Sequence, residues 1–169
     1  SLDLTIDDIG PTAASTNENV FIDIAGANVT NLNITSANDS FIVLENSGAS
    51  ISSLSIEGSG TLSLIGALPN SITTINGGTS STSLTVSTGS AGATVTGGSG
   101  NDVIVLGGGT NTVNSGNGSD TITLSTGNDT VNTGSGSDTV TASSGTNNIT
   151  TGASGDQITL SGGTNTVNS

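Results

Sequence analysis

GGSGNDVIV, at residues 97–105, begins a run of eight nine-residue copies that continues to Asn168 without insertion or deletion. The later copies read LGGGTNTVN, SGNGSDTIT, LSTGNDTVN, TGSGSDTVT, ASSGTNNIT, TGASGDQIT and LSGGTNTVN. Position eight is always Ile or Val, position six is always Asp or Asn, and position four is Gly except at Ser154. A strict short repeat predicts one structural unit per copy, with each unit stacked on its neighbours.

The composition of each copy predicts a turn followed by a very short strand. Glycine is frequent in the first six positions and supplies tight turns with positive φ. The last three positions alternate polar, β-branched, polar, which suits a strand with one inward side chain. Two copies therefore make a coil of about 18 residues, and successive coils pair their strands in parallel about 4.8 Å apart. We expect an all-β parallel solenoid without helices.

Alternate copies differ systematically, so the coil has two different edges. Position six of the odd-numbered copies is always acidic, and we call these residues the acidic edge: Asp102, Asp120, Asp138 and Asp156. Position six of the even-numbered copies forms the Asn edge: Asn111, Asp129, Asn147 and Asn165. Position one follows the same division, with Leu106, Leu124, Ala142 and Leu160 on the Asn edge and Gly97, Ser115, Thr133 and Thr151 on the acidic edge. Leu106 follows Ile104 by two residues, so both should face inward.

A file of carboxylates at strand spacing repels itself, and a hard cation between coils removes that repulsion. Calcium accepts six to eight oxygen ligands in flexible geometry, which carboxylates and turn carbonyls provide. We expect Ca²⁺ between Asp102 and Asp120, between Asp120 and Asp138, and between Asp138 and Asp156, with Asp129 as a further ligand on the Asn edge. The alternative is that Asp and Asn serve only as turn residues. Asn side chains can also form a hydrogen-bonded ladder without metal.

Residues 97–168 resemble the RTX family of secreted bacterial proteins, which carry the pattern G-G-x-G-x-D-x-U-x. The resemblance implies a right-handed parallel β-roll, calcium in the turns and export by a type I secretion system. Two departures from the pattern concern the Asn edge most: three position-six residues are Asn, and most copies lack the first Gly.

The composition excludes several functions. The 169 residues include no Lys, Arg, His, Cys, Met, Trp or Tyr, and the net charge is −13. Such a chain cannot neutralise phosphate, so we expect no nucleic acid as a partner. No apolar run is long enough for a transmembrane helix, and we expect no direct membrane insertion. Catalysis would ordinarily use His, Lys, Cys, Tyr or a poised carboxylate pair, so we do not expect an enzyme.

Three segments are expected along the chain. Residues 1–19 form a leading strand and linker, with the linker at residues 10–19. Residues 20–87 form an irregular β-solenoid, and residues 88–169 form the calcium-binding β-roll. Apolar pairs spaced by two recur in the middle segment: Ile22/Ile24, Leu32/Ile34, Phe41/Val43, Leu54/Ile56, Leu62/Leu64 and Leu84/Val86. The interval from Leu32 to Leu54 equals the interval from Leu62 to Leu84, and both exceed the length of two nonapeptides, which predicts wider coils that lead into the roll.

Segments such as LSIEGSGTLSLIG, at residues 54–66, loosely resemble bacterial surface-layer proteins of the Caulobacter kind. That resemblance implies an extracellular structural protein that self-associates into a lattice or filament with calcium. The first alternative is a stalk or binding segment of a giant secreted RTX adhesin, and the second is an RTX module attached to a secreted enzyme. A Thr-rich face for ice or polymers, built on Thr121/Thr123 and Thr139/Thr141, is interrupted at Val103, Val105 and Gln157. We expect the chain to be a fragment of a larger protein.

Overall fold

The computed structural model describes residues 1–6, 20–24, 28–45 and 50–169, and these form an all-β solenoid of about eight coils. Each coil contributes one strand to a nine-stranded parallel sheet and one to an eight-stranded parallel sheet. No helix occurs in the described ranges, and none of their segments could cross a membrane as a helix. The nine-stranded sheet contains the odd-numbered strands: β1 (Leu2–Ile6), β3 (Asn31–Ser36), β5 (Ser53–Gly58), β7 (Thr74–Asn76), β9 (Thr94–Gly98), β11 (Thr112–Gly116), β13 (Thr130–Asn132), β15 (Thr146–Thr150) and β17 (Thr164–Asn168). The eight-stranded sheet contains the even-numbered strands: β2 (Val20–Asp23), β4 (Ser40–Glu45), β6 (Leu62–Ala67), β8 (Leu84–Ser87), β10 (Val103–Val105), β12 (Thr121–Leu124), β14 (Thr139–Ala142) and β16 (Gln157–Leu160).

The wide coils have the predicted length. Leu32 of β3 pairs with Leu54 of β5, which is the first of the two equal intervals in the sequence. Leu62 of β6 pairs with Leu84 of β8, which is the second. Between β6 and β7 the chain turns at Pro69, whose carbonyl accepts the N–H of Ile72 at 3.0 Å. Proline suits a corner because its φ is fixed and it has no N–H to donate to a neighbouring strand.

The coil shortens to the length of two nonapeptides where the repeat takes over. Ile75 pairs with Val95, an interval slightly longer than two copies of the repeat. Val95 pairs with Val113, and this interval already equals two copies. The interval of two copies then holds through the last coil, where Ile149 pairs with Val167. Residues 88–96 therefore already have the register of the roll, as their sequence predicts. The right-handed winding of the coils stays a prediction.

The core of the roll is a file of β-branched side chains from position eight. From Ile104 to Ile149 every one of them is buried, and Leu106 lies buried beside Ile104 as predicted. In the last coil Ile158 is half-buried and Val167 is 41 % exposed. Full burial of one such side chain stabilises the fold by roughly 1.5–3 kcal/mol.

One apolar pair of the middle segment does not face the core. Phe41 and Val43 of β4 are only partly buried, whereas Ile42 and Leu44 between them fill the core. The segment FIVL is apolar at both parities, so alternation cannot orient it. Pairing decides the orientation, because Ile42 is in register with the buried Leu64 of the next coil. Phe21, on the outer face of the same sheet, is 71 % exposed.

Two predictions lie outside the described residues or extend beyond them. The strand predicted over residues 1–9 is seen as β1, Leu2–Ile6, while residues 7–9 and the linker at residues 10–19 are not among the described residues.

The Thr121/Thr123 face lies outward on the eight-stranded sheet, and Val103 and Val105 interrupt it, each 39 % exposed.

Candidate metal centre

The carboxylates of the repeat point into the roll. Position six immediately precedes the strand in six copies and is the second residue of the strand at Asn147 and Asn165, and positions six, eight and one alternate inward. Asp102, Asp120, Asp129 and Asp138 are between 0 % and 1 % exposed, and Asp156 in the last coil is partly buried. Ionised carboxylates are almost never buried to this degree unless they are paired or bind a metal. The chain contains no Lys, Arg or His that could pair with them.

Each carboxylate of the acidic edge uses one oxygen to join two coils. The Oδ1 atom accepts a backbone N–H from the equivalent position of the preceding coil. The N–H of Asp120 donates to Asp138 at 2.9 Å, and the N–H of Asp102 donates to Asp120 at 2.8 Å. Leu84 donates to Asp102 at 2.8 Å, and Asp138 donates to Asp156 at 3.0 Å. These bonds fix the side chains in one file along the acidic edge.

The other carboxylate oxygen has no donor. Oδ2 of Asp102, Asp120, Asp129 and Asp138 is buried without a hydrogen-bond partner. Leaving a charged oxygen buried and unpaired destabilises a fold by more than the few kcal/mol of a neutral polar group. A hard cation is the ligand that such oxygens accept, so the residues present fit calcium.

The pKa values at the first acidic coil show the same need for positive charge. Burial raises the pKa of Asp102 to about 7, because removing the carboxylate from water disfavours its charged form. The bond from Leu84 opposes this rise, and the charge of Asp120 adds to it. Burial also raises the pKa of Asp120, and the charge of Asp138 acts in the same direction. The carboxylates of Asp102 and Asp120 therefore bind a proton more readily than a solvated Asp, and a nearby cation would oppose this.

A calcium ion here would take most of its ligands from the backbone. Within the described ranges no three acidic side chains converge on one point. One or two carboxylates per ion must therefore be completed by carbonyl oxygens of the glycine-rich turns. Gly97 shows how close these groups come, because a Cβ there would overlap both Asp102 Oδ2 and the carbonyl oxygen of Ser115. Calcium tolerates such irregular oxygen sets, whereas magnesium requires near-ideal octahedral geometry.

The Asn edge has the same coil-to-coil bond through Oδ1. The N–H of Asn111 donates to Asp129 at 2.9 Å, and the N–H of Asp129 donates to Asn147 at 3.0 Å. The side-chain amides also form contacts of their own. Nδ2 of Asn147 donates to Oδ1 of Asn165 at 2.8 Å, and Nδ2 of Asn111 donates to Asp129 Oδ1 at 2.9 Å. The structure thus brings Asp129 between two amides and not beside a second carboxylate.

Position one adds residues to which the sequence assigned no role. Ser115, Thr133 and Thr151 are fully buried on the acidic edge. The hydroxyl of Ser115 donates to the carbonyl of Thr133 at 3.0 Å and lies close enough to Asp120 to lower its pKa, against the larger effect of burial. The Oγ1 atom of Thr151 is buried without a partner. Their signal in the sequence is the alternation of hydroxyl and apolar residues at position one.

Comparison with known families supports the same assignment. The model of the RTX calcium-binding nonapeptide repeat matches four times, at residues 88–122, 114–149, 123–158 and 141–169. Together the matches cover residues 88–169, the part of the chain with the shorter coils. No curated protein and no solved structure matches the chain.

Proposed function

Since residues 88–169 belong to the RTX calcium-binding nonapeptide repeats, we propose that the chain is a structural segment of an extracellular protein whose β-roll is closed by calcium. One observation carries the calcium sites: four buried Asp side chains each hold an oxygen without a donor, in a chain that contains no basic side chain. We assign the ions to the spaces between successive carboxylates of the acidic edge, with a further site at Asp129.

The residues have separable roles in such a site. Backbone N–H groups of the preceding coil hold Oδ1 of Asp120 and Asp138, which leaves Oδ2 free to bind the ion. Glycine in the turns lets carbonyl oxygens approach the same space. When bound, calcium supplies the positive charge that the chain itself lacks. Binding energy then becomes folding energy, because the carboxylate file is unfavourable without the ion.

Calcium titration of the chain tests this assignment. We expect Asp120→Asn to weaken two sites, because Asp120 lies between Asp102 and Asp138 and calcium affinity follows ligand charge. Dissociation constants of the parent chain should fall in the weak extracellular range of about 10⁻⁴–10⁻³ M. Asp39→Asn is the matched control, since it removes one exposed carboxylate outside the repeat. Calorimetry that gives the same stoichiometry and affinity for both variants would refute the acidic-edge sites.

For the whole protein we propose a surface-layer segment that self-associates, exported by a type I system to the cell exterior. A Ser- and Thr-rich solenoid that continues into calcium-binding coils supports this role, and the lack of His, Lys, Cys and Tyr supports a structural role over catalysis. A giant adhesin and a module of a secreted enzyme remain the alternative proposals. Electron microscopy of the calcium-loaded full-length protein separates them: ordered sheets support the surface layer, and separate rods contradict it.

A further inference from the structure

The two edges of the roll place position six in the same way. Asp138 Oδ1 accepts the N–H of Asp120 at 2.9 Å, and Asn147 Oδ1 accepts the N–H of Asp129 at 3.0 Å. Because the oxygen of Asn147 is held by this backbone donor, the other end of its side chain is the nitrogen. That nitrogen therefore takes the place that the unpaired Oδ2 has in an Asp side chain.

The amide nitrogens of the Asn edge are satisfied by the protein itself. Nδ2 of Asn147 donates to the carbonyl of Ser144 at 3.1 Å and to Oδ1 of Asn165 at 2.8 Å. Nδ2 of Asn165 donates to the carbonyl of Gly162 at 3.0 Å. Ser144 and Gly162 both occupy position three of their copies, in the glycine-rich turn. An N–H group thus satisfies turn oxygens on this edge without a cation.

The interior next to the Asn edge is also suited to an ion-free state. Position one there is Leu106, Leu124 and Ala142, each at most 1 % exposed, and Leu160 of the last coil, which is 39 % exposed. On the acidic edge the same position holds buried hydroxyl groups in three of the four copies, at Ser115, Thr133 and Thr151. Apolar packing beside neutral amides stabilises the coil without charge, whereas a divalent ion in a turn that carries Asn would be desolvated without a carboxylate of that turn to offset its charge.

We propose that the three Asn-bearing turns of the Asn edge, those of Asn111, Asn147 and Asn165, close without calcium, so that calcium is confined to the acidic edge and to Asp129. The proposal rests on the calcium sites proposed above and divides the matched repeats into metal-binding and metal-free turns. Its physical basis is that the amide nitrogen lies where an Asp side chain has Oδ2. The nitrogen presents N–H hydrogens there instead of a lone pair, so it cannot bind calcium. The neutral side chain also lacks the charge that sets calcium affinity.

Asn147→Asp in the otherwise unchanged chain tests the proposal, with Asn148→Asp as matched control. Asn148 is the next residue, faces outward and is exposed, so the control makes the same charge change outside the roll. We expect calorimetry with calcium alone to give a higher stoichiometry for Asn147→Asp only. In chelator Asn147→Asp should unfold at a lower temperature than the control, because it sets a second carboxylate against Asp129. Equal stoichiometry in the two variants would overturn the proposal.

Amide hydrogen exchange of the unmutated chain in chelator gives a second readout that does not depend on a variant folding. The backbone N–H of Ala93, bonded to Oδ1 of Asn111, should exchange more slowly than the N–H groups of Asp102 and Asp120, which are bonded to carboxylates. Equal exchange at both edges contradicts the metal-free Asn-bearing turns.

The two variants distinguish failure of this inference from failure of the proposed function. If Asp120→Asn leaves calcium binding unchanged, the acidic-edge sites themselves fail. If Asp120→Asn lowers calcium binding but Asn147→Asp adds none, only this inference fails.

Discussion

Ser154 shows what a single residue contributes to the turns. It stands where the other copies have Gly, and its φ of 126° is the only positive value at a non-glycine residue in the described ranges. This conformation costs a residue with a Cβ of order 1–3 kcal/mol. We therefore expect Ser154→Gly to increase the unfolding free energy of the calcium-loaded chain by about 1 kcal/mol and to raise its thermal midpoint accordingly.

Ser137→Gly is the control for that substitution, because Ser137 is exposed and has no positive φ. There glycine only adds freedom to the unfolded chain, so the midpoint should stay the same or fall. A midpoint that rises equally in both variants would show that Ser154 is unstrained.

Asp102 predicts how the metal-free chain responds to pH. Its folded pKa of about 7 lies above the ordinary value of 3.8, so the folded state binds the proton more tightly than the unfolded state. The free energy of unfolding in chelator should therefore increase as the pH falls through about 7 toward 3.8. Above pH 7 Asp102 is ionised in both states, and its burial then destabilises the fold to the full extent. Urea unfolding in chelator at pH 5 and pH 8 measures this difference, and Asp102→Asn should reduce it.

A control of opposite sign is available for the pH experiment. The N–H of Thr61 lowers the pKa of the exposed Asp39, so its small contribution is present at high pH and is lost on acidification. Asp39→Asn should therefore leave the gain in stability at pH 5 intact. Greater stability at pH 8 than at pH 5 in chelator would contradict the assignment to Asp102.

At the scale of the element, β4 tests how register orients an ambiguous strand. Ile42 is fully buried and in register with Leu64, while Val43 is only partly buried on the outer face. Ile42→Ala should destabilise the chain by about 2–5 kcal/mol through lost burial and a cavity. Val43→Ala should change the unfolding free energy by less than about 1 kcal/mol. The reverse order in denaturant unfolding would contradict this register and favour one in which Phe41 and Val43 face inward.

At the scale of the molecule, the two kinds of coil differ in their dependence on calcium. The wide coils, where described between residues 28 and 87, bury Leu and Ile without any buried carboxylate, whereas the roll buries four Asp side chains. Chelation should therefore increase hydrogen exchange in residues 97–169 far more than in residues 50–87, because only the roll loses its counter-charge. Exchange detected by mass spectrometry resolves the two segments. Uniform loss of protection would instead mean that the solenoid unfolds as one cooperative unit.

The amino-acid sequence by itself determined the parts of this protein that repeat. Strict spacing of position eight sets the coil of two nonapeptides, and the intervals from Leu32 to Leu54 and from Leu62 to Leu84 set the wide coil, because stacked coils must place equivalent residues in register. The alternation of Asp and Asn at position six likewise established two edges. These properties follow from local periodicity, which a sequence displays directly.

Only the tertiary structure decided which atoms meet between coils. A backbone N–H holds Asp120 Oδ1 while Oδ2 stays unpaired, and Asn147 bonds a turn carbonyl in its own copy and Asn165 in the next coil. Bonds between equivalent positions of neighbouring coils exist only after the coils have stacked, so no local pattern distinguishes one side-chain atom from the other. The orientation of Phe41 was decided in the same way, because its strand is apolar on both faces and only pairing with the next coil selects one.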